Sequence, residues 1–488
     1  MERYIIAIDQ STSASKAFLI DQQGEILRRF SRNHQQYYPY PGQVEHDGEE
    51  IWQNVRAGIM EMAQGLAPEQ IAALAISNQR ETTVLWERET GKPVCPAVVW
   101  QDVRGEGLCG EMKVWEHTVE EKTGLKLSPY YSAAKAASVL KEKPEIARKA
   151  REGSLCIGTV DSYLIYRLTD GQSFCTDVSN ASRTQLCDIR SLAWDGELCE
   201  AFQIPRKALP EILPSDGEFG FTCGEGSPSG VPIIGVMGDS HAALFGQGCL
   251  SEGMTKATFG TGSSVMMNVG PRRIASRNGL SSSVGFGFQG KTCYVLEGNV
   301  TCSGDTLCWL RDEAGLIDDI GQVEALAAQV ESTEGVTLVP AFSGLGAPYF
   351  EPGVRAALLG MNRGTTKAHI VRAALESIAY QDADVLHAMA ADRGKELTEL
   401  RVDGGPTRNG LLMQFLSDLL GCPVKCASQS ELSALGAAYM AGLKTGMYSA
   451  FDAIAAVRKQ GVIYQPQKDL EFRRRSLSHW QEAVRRCR

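Results

Sequence analysis

The stretch YIIAIDQSTSASKAFLI, residues 4–20, sets two short apolar runs on either side of a loop made of hydroxyl-bearing and small residues. Runs of this length and composition read as strands. With EILRRF at 25–30, reached through DQQG, they predict three antiparallel strands joined by tight turns. Small and hydroxyl side chains in the first turn suit a loop whose backbone N–H groups converge on an anion. In the second half MTKATFGTGSSVMMNVG, residues 254–270, repeats the device as strand, GTGSS turn and strand. Two hairpins with small-residue tips, one opening each half, suggest a duplicated architecture with a ligand between the halves. Gly-Thr-Gly is also ordinary turn composition, so this pattern alone leaves both readings open.

The bulk numbers limit what such a chain can do. Its 488 residues, 43% apolar and 22% charged, suffice to bury more than one core. No window approaches the roughly 20 uninterrupted apolar residues of a membrane span, and MERYIIAIDQ lacks the basic stretch and cleavage site of a signal peptide. The expected location is the cytoplasm. The fourteen cysteines are scattered without a CxxC pair, which predicts reduced, mostly buried thiols. Cys422 and Cys426 lie nearest each other, but without a second pair or a histidine cluster core packing outweighs a zinc site. A net charge of −9 argues against nucleic acid and anionic membrane as partners, since both need a basic face. A small anionic ligand stays compatible with it.

Beyond the hairpins, helical and strand-like segments alternate. GEEIWQNVRAGIMEMAQ carries apolar residues at helical spacing, whereas IAALAIS and AVVWQ read as strands. The second half continues with VTLVPAF as strand, KAHIVRAALESIAYQDADVLHAMAA as a long helix, ELRVDGG as strand and turn, and NGLLMQFLSDLLG as helix. This is an α/β chain. A boundary near Gly248 to Gly253 divides it into residues 1–248 and 249–488. IIGVMGDSHAALFGQ, residues 233–247, ends just before that boundary, which sets Asp239 close to an interdomain cleft. After an apolar run, Asp239 is also a good helix N-cap, and both readings can hold for one residue.

Several longer motifs carry a resemblance. NQRETTVLWERETGKPVCPAVVWQDVR (78–104), GTVDSYLIYRLTDG (158–171), TDVSNASRTQLCDI (176–189), the stretch from VPAFSGLGAPYF to ESIAYQ (339–381) and RVDGGPTRNGLLMQFLSDLLG (401–421) closely resemble the FGGY carbohydrate kinases, and among them the glycerol kinases, in order and spacing. Ala356 to Glu376 fits the second signature of that family throughout. The first fits poorly, because Ser138 stands where a tryptophan is usual. The resemblance implies two ribonuclease-H-like domains of the actin, Hsp70 and hexokinase ATPase superfamily around a deep interdomain cleft. The polyol would lie mainly on the N-terminal domain and ATP on the C-terminal one. The implied chemistry is phosphoryl transfer from MgATP to a hydroxyl, which calls for in-line positioning, charge stabilisation and exclusion of water.

By resemblance, Asp9 would hold Mg²⁺, while Thr12, Ser13 and Lys16 would contact phosphate oxygens, with Ser11 replacing the glycine usual in this family. Read from the residues alone, the same loop is an Asx-type turn in a plain hairpin. Gly260, Thr261 and Gly262 match the second phosphate loop. Gly304, Gly405 and Asn409 match positions around the nucleotide, and Cys308 replaces a family glutamine there. Arg80, Glu81 and Tyr130 match contacts to substrate hydroxyls, with Trp100 as an apolar wall. Asp239 matches the general base that takes the proton of the attacking hydroxyl. His241 reads as a helix residue that a substrate contact would make a ligand.

Two departures bear on the acceptor. Glycerol kinases carry glutamine at Ser240 and an aromatic residue at Ser264, and both replacements are smaller. Truncated pocket walls leave room for more carbons, so the expected acceptor is a polyol or sugar larger than glycerol: a tetritol, a pentitol or a ketose. The alternatives are a true glycerol kinase and, from another class, a non-catalytic ATPase or sugar sensor on the same fold. The loop FTCGEGSPSGVPI at 221–233 has neither a basic cluster nor a histidine, so control by a sugar bisphosphate or by histidine phosphorylation is not expected. The resemblance favours a homodimer or homotetramer.

Overall fold

The computed structural model describes residues 2–224 and 227–488, so two positions of the 221–233 loop lie outside the described residues. In the first half the sheet order is Ile233–Gly238, Ile71–Asn78, Tyr4–Gln10, Ala14–Ile20, Ile26–Asn33. The last three form the expected antiparallel meander, and the first two join it in parallel. A strand with parallel neighbours on both sides must be apolar on both faces, and Ile71–Asn78 is buried along its whole length. At the open edge, Ile26–Asn33 is mostly exposed and carries Arg28, Arg29 and Arg32, which discourages pairing with another chain.

The second half repeats this arrangement. Val424–Ala427, Leu400–Gly404, Thr255–Phe259, Ser263–Gly270 and Lys291–Val300 follow one another in the same order and with the same directions. Ser281–Phe288 and Gln460–Tyr464 extend the two edges. The likeness of the two hairpins thus reflects a duplication of whole sheets, and the protein consists of two mixed α/β domains of ribonuclease-H-like order facing a cleft. Two expected strands come out shorter. AVVWQ contributes only Ala97–Val98, because the chain turns at Trp100 to aim its indole at Thr12, and VTLVPAF contributes Thr337–Val339, paired only with Ala357–Leu359. Among the described residues no helix is long and apolar enough to cross a membrane.

The halves share a core. Helix Leu432–Lys444, from the second half, lies beneath the first sheet, where Leu435, Ala438 and Tyr439 join Ile5, Ala7, Phe18, Ala73 and Met237 in one buried cluster. It crosses helix Asp239–Gly246 through two glycines. A Cβ on Gly436 would stand 1.8 Å from the Ala242 carbonyl oxygen, and one on Gly246 would stand 2.2 Å from that of Leu432. Helix backbones approach this closely only where neither residue has a side chain, and the helix so held is the one that begins with Asp239.

Gly436→Ala is therefore expected to drive the two helices apart, at a cost of about 1–3 kcal/mol typical of overpacking. The thermal midpoint should fall by several degrees and kcat should fall with it. Unfolding monitored by circular dichroism, with an activity assay on the same preparation, checks both.

Candidate active site

Arg80 and Glu81 follow strand Ile71–Asn78 after one residue, Gln79. Adjacent residues of an extended chain point to opposite sides, but Glu81 has φ +61°, in the left-handed region that non-glycine residues seldom adopt. The kink is held by the Ser132 hydroxyl, which donates to the Glu81 carbonyl at 3.0 Å. It lets both side chains serve one site. Glu81 Oε1 accepts from Arg183 Nε at 2.6 Å, while Arg80 reaches Glu297 through two nitrogen–oxygen contacts of 2.9 and 3.0 Å and Asp239 Oδ1 through Nε at 3.2 Å. Arg183 Nη1 lies 2.8 Å from Glu297 as well.

Glu81, Arg183, Glu297 and Arg80 thus form a buried chain of alternating charge, and Asp239 ends it. Arg80, Glu81, Arg183 and Glu297 are all at most 6% exposed, whereas the Asp239 side chain is 35% exposed, toward the cleft. Burial opposes the charged form of Arg80, Arg183 and Glu297, but their neighbours outweigh it. Burial alone would raise the Glu297 carboxyl, yet Arg183 and Arg80 hold it far below the usual carboxylate range. Burial alone would lower the Arg80 guanidinium, yet Glu297, Glu81 and Asp239 keep it firmly charged. Asp239 Oδ1 also accepts from its neighbour's backbone, Ser240 N, at 2.6 Å. Gly238 is what lets Arg80 lie this close, since a Cβ there would stand 2.6 Å from Arg80 Cγ.

Arg183 and Glu297 were absent from the residues singled out in the sequence. Arg183 ends TDVSNASR, and Glu297 is a lone acid in the buried strand segment YVLEGNV, a placement that itself signals a paired charge. The aromatic residues expected to meet the acceptor gather beside these charges. Trp100 and Tyr130 meet edge to face at 5.6 Å, and Tyr130 meets Tyr131 at 5.2 Å. Trp100 is more than an apolar wall, because its indole N–H donates to Thr12 Oγ1 at 2.9 Å. Buried Lys135 holds the aromatic loop from behind, donating to the carbonyls of Pro129 and Tyr130. His241 is fully buried with Nε2 3.3 Å from Ser283 Oγ, so it faces the core rather than the cleft.

At the first hairpin, Asp9 is the penultimate residue of strand Tyr4–Gln10, in register with Lys16 on one neighbour and Ser77 on the other. Its carboxylate accepts from Ser77 Oγ at 3.1 Å. Burial, with Asp239 and Glu431 adding to it against Lys16 and Ser77, pushes this carboxyl up to about 7. Lys16 Nζ pairs with Glu431 at 2.8 Å across the two halves. Thr12 is half-buried and Ser13 is exposed at the hairpin tip. The second loop is a close backbone weave: Ser303 N donates to Thr261 O at 2.8 Å and Gly304 N to Gly260 O at 2.9 Å. A Cβ on Gly262 would stand 2.3 Å from Val300 O, and one on Gly304 would stand 2.5 Å from Gly260 O. Beside it opens a cavity of about 630 Å³ lined by Gly260, Thr261, Gly304, Cys308, Gly405 and Asn409 among others. That is room for a nucleotide.

Ser240 and Ser264, both partly buried, are linked to each other. Ser264 Oγ donates to Ser240 Oγ at 3.4 Å and accepts from the Nζ of buried Lys256 at 3.2 Å. Lys256 also donates to Thr258 Oγ1 at 3.1 Å. The two small side chains are joined to each other and to a long one that the sequence reading passed over.

Comparison with known proteins bears on the same point. The N-terminal domain of the FGGY family of carbohydrate kinases matches residues 4–246, and the C-terminal domain of that family matches residues 255–445. Glycerol kinase 1 of Thermotoga maritima is 47% identical over 487 residues, covering 99% of each chain, and the glycerol kinase of Geobacillus kaustophilus is 45% identical over 495 residues, again covering 99% of each. Among solved structures, Plasmodium falciparum glycerol kinase with ADP is 36% identical, with a TM-score of 0.95 over 100% of this chain and 98% of that one. A gluconate kinase from Lactobacillus acidophilus, 20% identical with a TM-score of 0.90, covers 99% of this chain and 98% of its own and shares the fold. Eight relatives at 44–47% identity over 99–100% of this chain are glycerol kinases, which overturns the expectation of an acceptor larger than glycerol drawn from Ser240 and Ser264. Matched in both halves and from end to end, the chain belongs to the FGGY family of carbohydrate kinases and is a phosphotransferase with an alcohol group as acceptor.

Proposed function

We propose that this protein is a glycerol kinase, transferring the terminal phosphoryl group of ATP to a hydroxyl of glycerol. The observation that carries the reading is Asp239: a carboxylate gripped at 3.2 Å by a buried arginine, open to the cleft, at the meeting of the two sheets. The relatives' shared activity supports glycerol as the acceptor. Arg80, Glu81 and Tyr130 bind acceptor hydroxyls, Trp100 packs on its carbons, and Ser240 and Ser264 close the far wall on Lys256. In the transfer, a bond forms between the acceptor oxygen and phosphorus, the bond from phosphorus to the ADP oxygen breaks, and the hydroxyl proton passes to the Asp239 carboxylate. Arg80 keeps that carboxylate aimed before and after it takes the proton.

In this reading the acceptor rests mainly on residues 1–248 and the nucleotide on residues 249–488. Gly260, Thr261 and Gly262 approach the phosphates by backbone, with Gly304, Gly405 and Asn409 around the nucleoside. Thr12 accepts from Trp100 and keeps its own O–H free for a phosphate oxygen, as does Ser13; Lys16 has two N–H donors beyond the one spent on Glu431. The surroundings of Asp9 fit Mg²⁺, because the burial and the Asp239 charge that push its carboxyl up are what a divalent cation offsets. Asp9 would hold it, and when bound it neutralises charge on the phosphates. The assembly expected from the family is a homodimer or homotetramer, measurable by sedimentation.

Three outcomes test the reading. Across glycerol, erythritol, threitol, xylitol and common ketoses, kcat/KM should be highest for glycerol; a higher value for a longer acceptor would sink the assignment. Asp239→Asn should lower kcat by about 100-fold or more, the range of general-base catalysis, with KM for ATP little changed. Glu297→Gln leaves two buried guanidiniums short of a partner and should cost about 3–5 kcal/mol near neutral pH. The native Glu297 carboxyl is held below its unfolded value, so its contribution is complete above the ordinary carboxylate pKa of about 4 and fades as pH falls below it. Denaturation curves should therefore show the wild type and Glu297→Gln converging on acidification and far apart at neutral pH.

A further inference from the structure

Arg80 and Asp239 stand on the ends of two adjacent strands, and neither strand end fixes itself. Gly238, the last residue of Ile233–Gly238, faces Asn78, the last of Ile71–Asn78, in the parallel register. Beyond these two residues the chains leave the sheet, Asn78 leading to Arg80 and Gly238 to Asp239. Both ends are tied to one buried group outside the cleft. Asp177 accepts through Oδ1 from Ser179 Oγ, Asn180 N and Asn180 Nδ2, and through Oδ2 from Ser179 N and Ser215 Oγ, each at 2.9 Å. Ser179 Oγ, with its proton committed to Asp177, accepts from Gly238 N–H at 2.9 Å. Asn180, with its amide oriented by Asp177, exchanges two hydrogen bonds with the Asn78 side chain, at 2.9 and 3.0 Å. Asp177, Ser179, Asn180, Asn78 and Ser215 have no exposed surface, so water cannot take over any of these roles.

We propose that Asp177 is a positioning residue for phosphoryl transfer, acting through Ser179 on the strand end that carries Asp239 and through Asn180 on the strand end that carries Arg80. A carboxylate that accepts from five donors is rigid, and a serine whose proton is committed can only accept. The Gly238 N–H therefore has one partner in one place, and the base one residue on inherits that placement. A shift of about 1 Å at a reacting group costs on the order of 100-fold in rate, so a small slackening here reads out in turnover. The inference rests on the assignment of Asp239 as base.

Its test uses the full-length enzyme with glycerol and ATP, and removes hydrogen bonds on opposite sides of the same carboxylate. Ser179→Ala deletes the acceptor of the Gly238 N–H while Asn180 and Ser215 still hold Asp177; kcat should fall about 10- to 100-fold with KM for ATP changed less than about threefold. Ser179→Thr, which keeps the hydroxyl, should recover kcat to within about threefold of wild type, and Ser215→Ala, which removes a donor to the same carboxylate without touching the acceptor of the Gly238 N–H, should lose clearly less kcat than Ser179→Ala. A Ser179→Ala enzyme with wild-type kcat, beside an inactive Asp239→Asn, overturns the inference and leaves the kinase assignment standing. Equal losses of kcat and thermal midpoint in Ser179→Ala and Ser215→Ala also overturn it, since a merely structural node makes no distinction between them. An Asp239→Asn enzyme that keeps its rate removes the base assignment and the inference together.

Discussion

A single carboxylate carries more of this structure than any other group. Glu297 reaches from the strand Lys291–Val300 of the second sheet into the first domain and meets Arg80 and Arg183 at once. A buried ion pair is a poor stabiliser by itself, because the desolvation of both charges consumes the Coulomb energy gained. Here the arginines are also needed for something else: Arg80 holds Asp239, and Arg183 holds Glu81. Glu297 lets two guanidiniums sit side by side without repelling, and it does so from the opposite domain. The charged cluster around Asp239 is complete only with both halves in place.

The same coupling of halves recurs in apolar form. Helix Leu432–Lys444 supplies one face of the core beneath the first sheet and touches helix Asp239–Gly246 along a line of backbone contacts opened by Gly436 and Gly246. Electrostatics above and helix packing below thus hold one short helix, and its first residue is Asp239, the proposed base. The node at Asp177 adds a third hold, from the sheet side. Three independent constraints on one residue are what in-line transfer asks for, since the reaction leaves the protein little to do besides place groups and balance charge.

The pocket wall carries a lesson about reading sites from single positions. Ser240 and Ser264 are small, and small side chains suggest space. In the fold they lie 3.4 Å apart and share a hydrogen-bonded chain with Lys256, whose long side chain runs in from the neighbouring strand. Volume is a property of all the residues that converge on a site. The residue bonded to this pair is eight positions from one serine and sixteen from the other, in a strand segment, MTKATF, that otherwise looks like core.

Local architecture and the list of parts are legible in the unfolded chain. The hairpin at 4–20 and its counterpart at 254–270, the alternation of helix and strand, and motifs such as NQRE and GTGSS follow from periodicity, turn chemistry and resemblance, all of which are legible over short spans. The tertiary structure alone decided which parts touch. Arg80 meets Glu297 across 217 positions, and Asn78 meets Asn180 across 102. Lys16 spends one proton on Glu431, and His241 turns inward to Ser283 instead of toward the cleft. Such pairings depend on the register of strands and the crossing of helices from distant segments, and no local pattern encodes them. Charge is legible in a sequence; the partner that makes a buried charge tolerable is settled only when the sheets close on each other.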